Sequence, residues 1–210
     1  MRLLSFAASA ILLGLAAAPS HAAVTSASVW LNDFSDNASV IPAGPPSSTF
    51  NAGLINYDSN ATGYTVGQFV NDPLGLGFSN PSVAAASLLN THFQFIGTIG
   101  LLAGNNSFVV GHDDGLILNI AGFGLVLNQP GPTAFTNTPF NVFNPGAAGN
   151  FAFQLDYNEC CGPPAELEFA VNNVNVGGVP ELGTWAMMII GFGGIAVRMH
   201  RRPSASALTA

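Results

Sequence analysis

The chain has 210 residues, 49% of them hydrophobic and only 7% charged, with a formal net charge of −7. An ordinary soluble domain carries about 25% charged residues, so Asn, Ser, Thr, Gln and backbone must supply most of the polar surface here. The apolar content argues against disorder. Four Lys and Arg in total leave no basic footprint, so no nucleic-acid partner is expected.

Met1-Arg2 is a short positive stretch ahead of an apolar run over 3–18, and Ser20-His21-Ala22 closes that run. Small residues stand at the two positions read by a signal peptidase, so residues 1–22 read as a secretion signal cut between Ala22 and Ala23. The alternative, an uncleaved N-terminal anchor, fits less well because the run is short and ends in a small-x-small site.

Residues 23–178 read as one domain with an adequate core and no internal repeat. Short runs rich in Val, Ile and Phe are broken by Gly, Pro, Asn and Asp, and they predict strands at 26–31, 49–57, 64–70, 93–101, 107–112, 116–120, 125–128, 151–157 and 166–171. In one of them Phe151, Phe153, Leu155 and Tyr157 alternate with Ala152, Gln154 and Asp156, the period of a half-buried strand. Residues 82–90, opened by Asn80-Pro81, form the one expected helix of this body. The fold class is all-β: an antiparallel sandwich or barrel, followed by a single hydrophobic helix at the C-terminus.

The placement of charge sharpens the picture. No Lys or Arg stands between Ala23 and Gly178, yet ten of the eleven carboxylates do. Carboxylates with no ammonium or guanidinium to pair with suit a hard cation such as calcium. For most of the ten the plainer expectation is an acidic, soluble, exported surface.

The richest segment is Gly111-His112-Asp113-Asp114-Gly115, with a strand predicted on each side. Taken alone, Asp-Gly between strands is a common hairpin turn, because both residues tolerate positive φ. Its surroundings add Phe93-Gln94-Phe95-Ile96-Gly97-Thr98 before it and Ala148-Gly149-Asn150-Phe151-Ala152-Phe153-Gln154-Leu155-Asp156-Tyr157 after it. This order resembles the β domain first seen at the N-terminus of anthrax protective antigen and shared with yeast flocculins and many glycosidases. In the sugar-binding members two adjacent aspartates joined by a cis peptide hold a calcium ion, which ligates sugar hydroxyls. The resemblance implies those roles for Asp113 and Asp114. Asn158 and Glu159 are the candidate further ligands by residue type, with no matched motif behind them.

Cys160 and Cys161 are the only cysteines and are adjacent. In an oxidising compartment they close a vicinal disulfide, remain two thiols or link to another chain. His92 and His112 are the only histidines of the body, and nothing in the sequence sets either beside the cysteines as a base. Glu166 and Glu168 share a strand face, which permits paired-carboxylate glycosidase chemistry but is better read as a solvated edge. No metalloprotease helix, phosphate loop or nucleophile elbow is present, and the chain reads as a non-enzyme.

The C-terminal residues 179–210 have three parts: Val179-Pro180-Glu181-Leu182, an uncharged apolar run from Trp185 to Val197, and Arg198, Arg201 and Arg202. As a helix, 182–197 spans roughly 24 Å, slightly short of a bilayer core of about 30 Å, and the arginines would stay cytoplasmic. The order Pro180-Glu181, Trp185-Ala186, Gly191-Phe192-Gly193 and terminal arginines resembles the PEP-CTERM sorting signal of Gram-negative bacteria, with Leu182 where the second proline belongs. That resemblance implies recognition by an exosortase, passage through the cytoplasmic membrane, and residence at the cell surface or in an exopolysaccharide matrix. Two readings follow. One is a calcium-dependent carbohydrate binder in that matrix; the other is a structural matrix component with no specific ligand.

Overall fold

A computed structural model describes residues 23–177. The expected signal peptide with its cleavage residue Ala22, and the expected sorting residues Pro180, Glu181, Trp185, Arg198, Arg201 and Arg202, lie outside the described residues. No helix among the described residues is long and apolar enough to cross a membrane.

The β-rich, alternating runs become eleven strands: β1 Ala23–Leu31, β2 Ser48–Phe50, β3 Asn56–Asp58, β4 Thr91–Leu101, β5 Gly104–Asp113, β6 Gly115–Ile120, β7 Gly124–Gln129, β8 Thr136–Asn144, β9 Gly149–Glu159, β10 Glu166–Val171 and β11 Val174–Asn175. They form two antiparallel sheets. The first is six-stranded in the order β2-β1-β4-β9-β6-β7; the second is five-stranded along β11-β10-β5-β8, with β3 also on β10. The architecture is a sandwich, not a closed barrel.

Alternation in the strands decides which side chains meet between the sheets. Phe93, Phe95, Leu155, Tyr157, Leu116 and Leu118 project from the first sheet and Phe108, Val110, Leu167 and Phe169 from the second, all buried. Phe153 and Phe169 meet edge to face across the gap, with ring centroids 5.5 Å apart. The segment between β3 and β4 closes the same core: Phe69 packs against Tyr57, Phe93 and Tyr157 at 5.3, 5.8 and 5.9 Å.

Four elements differ from the sequence expectation. The run 49–57 is two strands, because the chain crosses from one sheet to the other between Phe50 and Asn56; Ile55 then donates its N–H to Val176 O at 2.9 Å. The run 64–70 contains a helical turn, α2 Val66–Phe69, which follows α1 Ser59–Thr62. Thr65 caps α2, its hydroxyl accepting from Gln68 N at 3.3 Å, and this buries Val66 and Phe69 together at helical spacing. Conversely, the expected helix 82–90 is only a 3₁₀ turn, Pro81–Ala85. Its remainder runs extended beside Tyr64–Val66, with Val66 N donating to Ala86 O and Leu88 N to Tyr64 O. β8 was not anticipated, since Pro139 interrupts it. Proline is tolerated there because β8 is an edge strand, paired only with β5.

Candidate cation-binding site

The strand ends fix where the acidic residues gather. Asp113 closes β5 in the second sheet and Gly115 opens β6 in the first. Asp113-Asp114 therefore carries the chain from one sheet to the other at one end of the sandwich, and the hairpin reading of Asp-Asp-Gly is overturned. The Asp113–Asp114 peptide is cis, as is Pro163–Pro164. Gly115 is required at the crossing, because a Cβ there would run into the carbonyl of Pro130.

The two carbonyls of the Asp113-Asp114 unit are taken up by buried rings. Tyr157 donates its hydroxyl hydrogen to Asp113 O. His112 Nδ1 donates to Asp114 O at 2.6 Å, since a carbonyl can only accept. On its other side His112 Nε2 meets the amide of Gln129 at 2.6 Å. The side chains are held separately. Asp114 Oδ1 accepts from Thr133 N at 3.1 Å, and Oδ2 accepts from Cys160 N and Cys161 N at 3.1 and 3.2 Å. Asp113's carboxylate accepts from the backbone N–H of Phe135.

Glu159, at the end of β9, completes the group. One carboxylate oxygen from each of Asp113, Asp114 and Glu159 lies within 4.8 Å of the others, and the three residues are only 6%, 4% and 0% exposed. Tyr64 donates to Glu159 Oε1, and Tyr157 Oη stands 3.0 Å from Oε2. Burial, followed by the neighbouring charge of Asp114, raises the Asp113 carboxyl above its ordinary range. Burial is also the largest influence on Glu159, which rises to about 8 even though both tyrosine hydroxyls favour its anion. Burial likewise pushes the Tyr64 and Tyr157 hydroxyls up, with Glu159 adding to both.

Counting protons gives the same answer as the electrostatics. Tyr157 has one hydroxyl hydrogen and two oxygen neighbours, Asp113 O and Glu159 Oε2. If that hydrogen goes to the carbonyl, the second contact is a hydrogen bond only when Glu159 carries a proton and donates it to Tyr157 Oη. Without a cation, then, both the contacts of Tyr157 and the raised carboxyl of Glu159 favour the protonated form of Glu159. No Lys or Arg exists among the described residues to pair with its anion. Three converging carboxylates offer hard oxygen ligands, and they fit a cation of the calcium type.

The other expected site residues are distributed as follows. Asn158 precedes Glu159 in a strand and so points to the opposite face; its Nδ2 donates to Asp33 Oδ2 at 2.9 Å and to Thr91 O at 3.3 Å, apart from the three carboxylates. Cys160 and Cys161 are joined as a vicinal disulfide, the first of the alternatives open in the sequence. Cys160 Sγ touches Asp114 Oδ2 at 3.1 Å, but oxidised sulfur has no hydrogen to donate. Glu166 sits opposite Asp113 in register, with Asp58 on its other side. Its carboxyl is raised by burial and then by Asp58, Glu168 and Asp113. Tyr64, Tyr157, His112 and Thr133 were not foreseen. Tyr157 was legible as a core residue of an alternating strand, but nothing in the local pattern says what its hydroxyl meets.

Among solved structures the chain is similar to a PA14 sugar-binding domain from an RTX adhesin, with a TM-score of 0.52 and 19% identity over 78% of this chain and 94% of that one. It is also similar to the PA14 domain of the MpAFP antifreeze protein, with a TM-score of 0.55 and 18% identity over 76% and 89%. An anti-sigma factor domain-containing protein from Clostridium clariflavum has a TM-score of 0.50 and 15% identity over 78% and 48%. At these identities the likeness is one of fold. No protein-family model matches the chain, and no curated protein does.

Proposed function

We propose that this protein is a non-catalytic, exported carbohydrate-binding module that holds one calcium ion with Asp113, Asp114 and Glu159. The observation that carries the reading is the convergence of three buried carboxylates at one end of a sandwich whose described residues include no Lys or Arg. The fold is shared with a domain described as sugar-binding, which supports the choice of ligand class. A bound calcium ion would supply open coordination positions for sugar hydroxyls.

The chain's own residues do the rest. His112 and Tyr157 take up the two backbone carbonyls from the core side, and backbone N–H groups hold the two carboxylates separately. Thr133, Cys160 and Cys161 orient Asp114 through their N–H groups. As a cation ligand Glu159 would have to be ionised, and Tyr64 would hold that anion through Oε1. A hydrolytic role is disfavoured: the two cysteines are bonded to each other, and the three carboxylates are engaged in hydrogen bonds within the fold.

The same reading takes residues 1–22 as a signal peptide removed by signal peptidase, and 179–210 as a sorting tail for an exosortase. It sets the module at the surface or in the exopolysaccharide matrix of a Gram-negative bacterium. Pro180-Glu181, Trp185, Arg198, Arg201 and Arg202 support the tail.

The test is calcium-dependent melting of the purified full-length protein, followed by glycan-array binding with and without chelator. A ligand that binds only the native state stabilises it by about 2.7 kcal/mol at a hundredfold excess over Kd. The melting temperature should rise with calcium and fall back with chelator, and Asp113→Asn with Asp114→Asn should remove the rise and the glycan binding together. A full calcium shift in the double variant places the ion elsewhere. Calcium binding without any glycan binding makes the protein a structural matrix component.

A further inference from the structure

We propose that the Cys160–Cys161 disulfide is a redox control on cation binding: a dithiol that opens it releases Asp114 from its oriented position and weakens the site. This rests on the reading above, in which Asp113, Asp114 and Glu159 hold the cation.

The argument starts from two adjacent amides. Cys160 N and Cys161 N both donate to Asp114 Oδ2, at 3.1 and 3.2 Å. Successive N–H groups that converge on one oxygen make a small anion-binding concavity, and Asp114's other oxygen has only Thr133 N, at 3.1 Å. Two of the three bonds that orient this carboxylate therefore come from the disulfide-linked dipeptide. Joining the two side chains couples their torsions to the peptide between them, so the amides are kept convergent. Opening the ring returns rotamer and backbone freedom to both residues, and nothing then obliges both N–H groups to face Asp114. The pair also follows Glu159 directly, so a loosened dipeptide loosens two of the three carboxylates.

Access is one-sided. Cys161 is exposed and Cys160 is buried, so a reagent reaches the Cys161 sulfur first. A thiolate of the dithiol attacks Cys161 Sγ and the Cys160–Cys161 bond breaks; Cys160 leaves as a thiolate and takes a proton from water. The reagent's second thiolate then attacks its own sulfur in the mixed disulfide and expels Cys161 as a thiolate, which also takes a proton from water. Two electrons pass from the dithiol, which ends as a cyclic disulfide, to the protein, which ends with two thiols.

Calcium is the right probe because its ligands are oxygens, so the released sulfurs add no competing ligand. Calorimetric titration of the full chain with calcium, in the oxidised state, after dithiol treatment and after reoxidation, gives the primary readout. Losing partners that orient a ligand costs about 10- to 100-fold in metal affinity, and that loss is expected on reduction, with recovery on reoxidation. The variant Cys160→Ser with Cys161→Ser should bind at the reduced-state affinity and ignore dithiol. Amide hydrogen exchange without calcium gives a second readout: Cys160 and Cys161 should lose protection on reduction while Phe93 and Leu155 in the core keep theirs. Equal calcium affinity in both redox states overturns this inference alone. Oxidised protein that binds no calcium overturns the cation reading and this inference with it. Loss of core protection on reduction replaces the local switch by global unfolding, and so also overturns it.

Discussion

Replacing Glu159 with glutamine should make the metal-free protein more stable at alkaline pH and leave it nearly unchanged at acid pH. Glu159 is fully buried, and its carboxyl rises from 4.5 to about 8, chiefly because burial penalises the anion. A carboxyl that holds its proton more tightly folded than unfolded binds more protons in the native state between those two values. Stability is therefore complete below the unfolded value and falls as pH rises through the folded one. Each tenfold change in proton affinity is worth about 1.36 kcal/mol, so the rise corresponds to a loss of at most roughly 5 kcal/mol. Glutamine fits the same contacts without titrating: its oxygen accepts from Tyr64 and its amide donates to Tyr157 Oη, as the protonated carboxyl does. Glu166 is also raised, by groups that do not include Glu159, and gives wild type and variant the same residual slope; Asp113 is coupled to Glu159 through charge, so the difference reports Glu159 together with that coupling. Urea denaturation in chelator at about pH 5 and about pH 9 measures it, with an expected divergence of a few kcal/mol at the upper value. Parallel pH profiles for the two proteins would refute the reasoning. With calcium present, wild-type affinity should climb with pH, because the cation competes with the proton on Glu159.

Gly115→Ala should destabilise the protein by about 1–3 kcal/mol in urea denaturation, because the new Cβ meets the Pro130 backbone, which cannot rotate away as a side chain would. His92 lies fully buried between Asp33 Oδ2 at 3.5 Å and Asp156 Oδ1 at 3.6 Å, with no hydrogen-bond partner for either ring nitrogen among the described residues. His92→Leu should cost about 1–3 kcal/mol by facing both carboxylates with hydrocarbon, and His92→Gln should recover part of that loss in the same assay. Phe69→Ala removes a buried ring shared by Tyr57, Phe93 and Tyr157, and calorimetric melting should report a loss of about 3–5 kcal/mol.

The strands that were legible in advance are those where one face is apolar and the other polar over several residues. β4, β9 and β10 satisfy that pattern, and their positions agree with the structure to within two residues at each end. The elements that were misread lie between β2 and β4 and at β8. There the short runs carry too few residues to separate a period of two from a helical turn, and tertiary pairing decides. Tyr64, Val66, Phe69 and Val70 make a short apolar run that reads as a strand, yet Thr65 caps a turn and the following segment 86–88 pairs with it. β8 contains a proline that only an edge position accommodates, and which strand lies at an edge is a property of the whole sheet.

The candidate site divides along the same line. Asp113 and Asp114 stood out because two adjacent carboxylates occupy a strand end in a body without a cation, and both facts are properties of residue type and order. Glu159 could be named only by type, and Asn158 beside it was named on the same ground although its side chain faces the other way. Which strand follows which in a sheet, and therefore that β9 brings Glu159 and Tyr157 beneath Asp113, depends on pairings between residues distant in the chain, from Ile120 with Phe153 to Thr91 with Glu159. The sequence by itself determined the all-β class, the charge segregation and the acidic pair, since these are set by local alternation and composition. Only the tertiary structure decided that Asp-Asp-Gly crosses between sheets and that a third carboxylate closes on it. It also decided that Tyr64, Tyr157, His112 and the cysteine amides hold the group in place, because convergence of side chains from distant strands is fixed by sheet order and packing and leaves no local periodic trace.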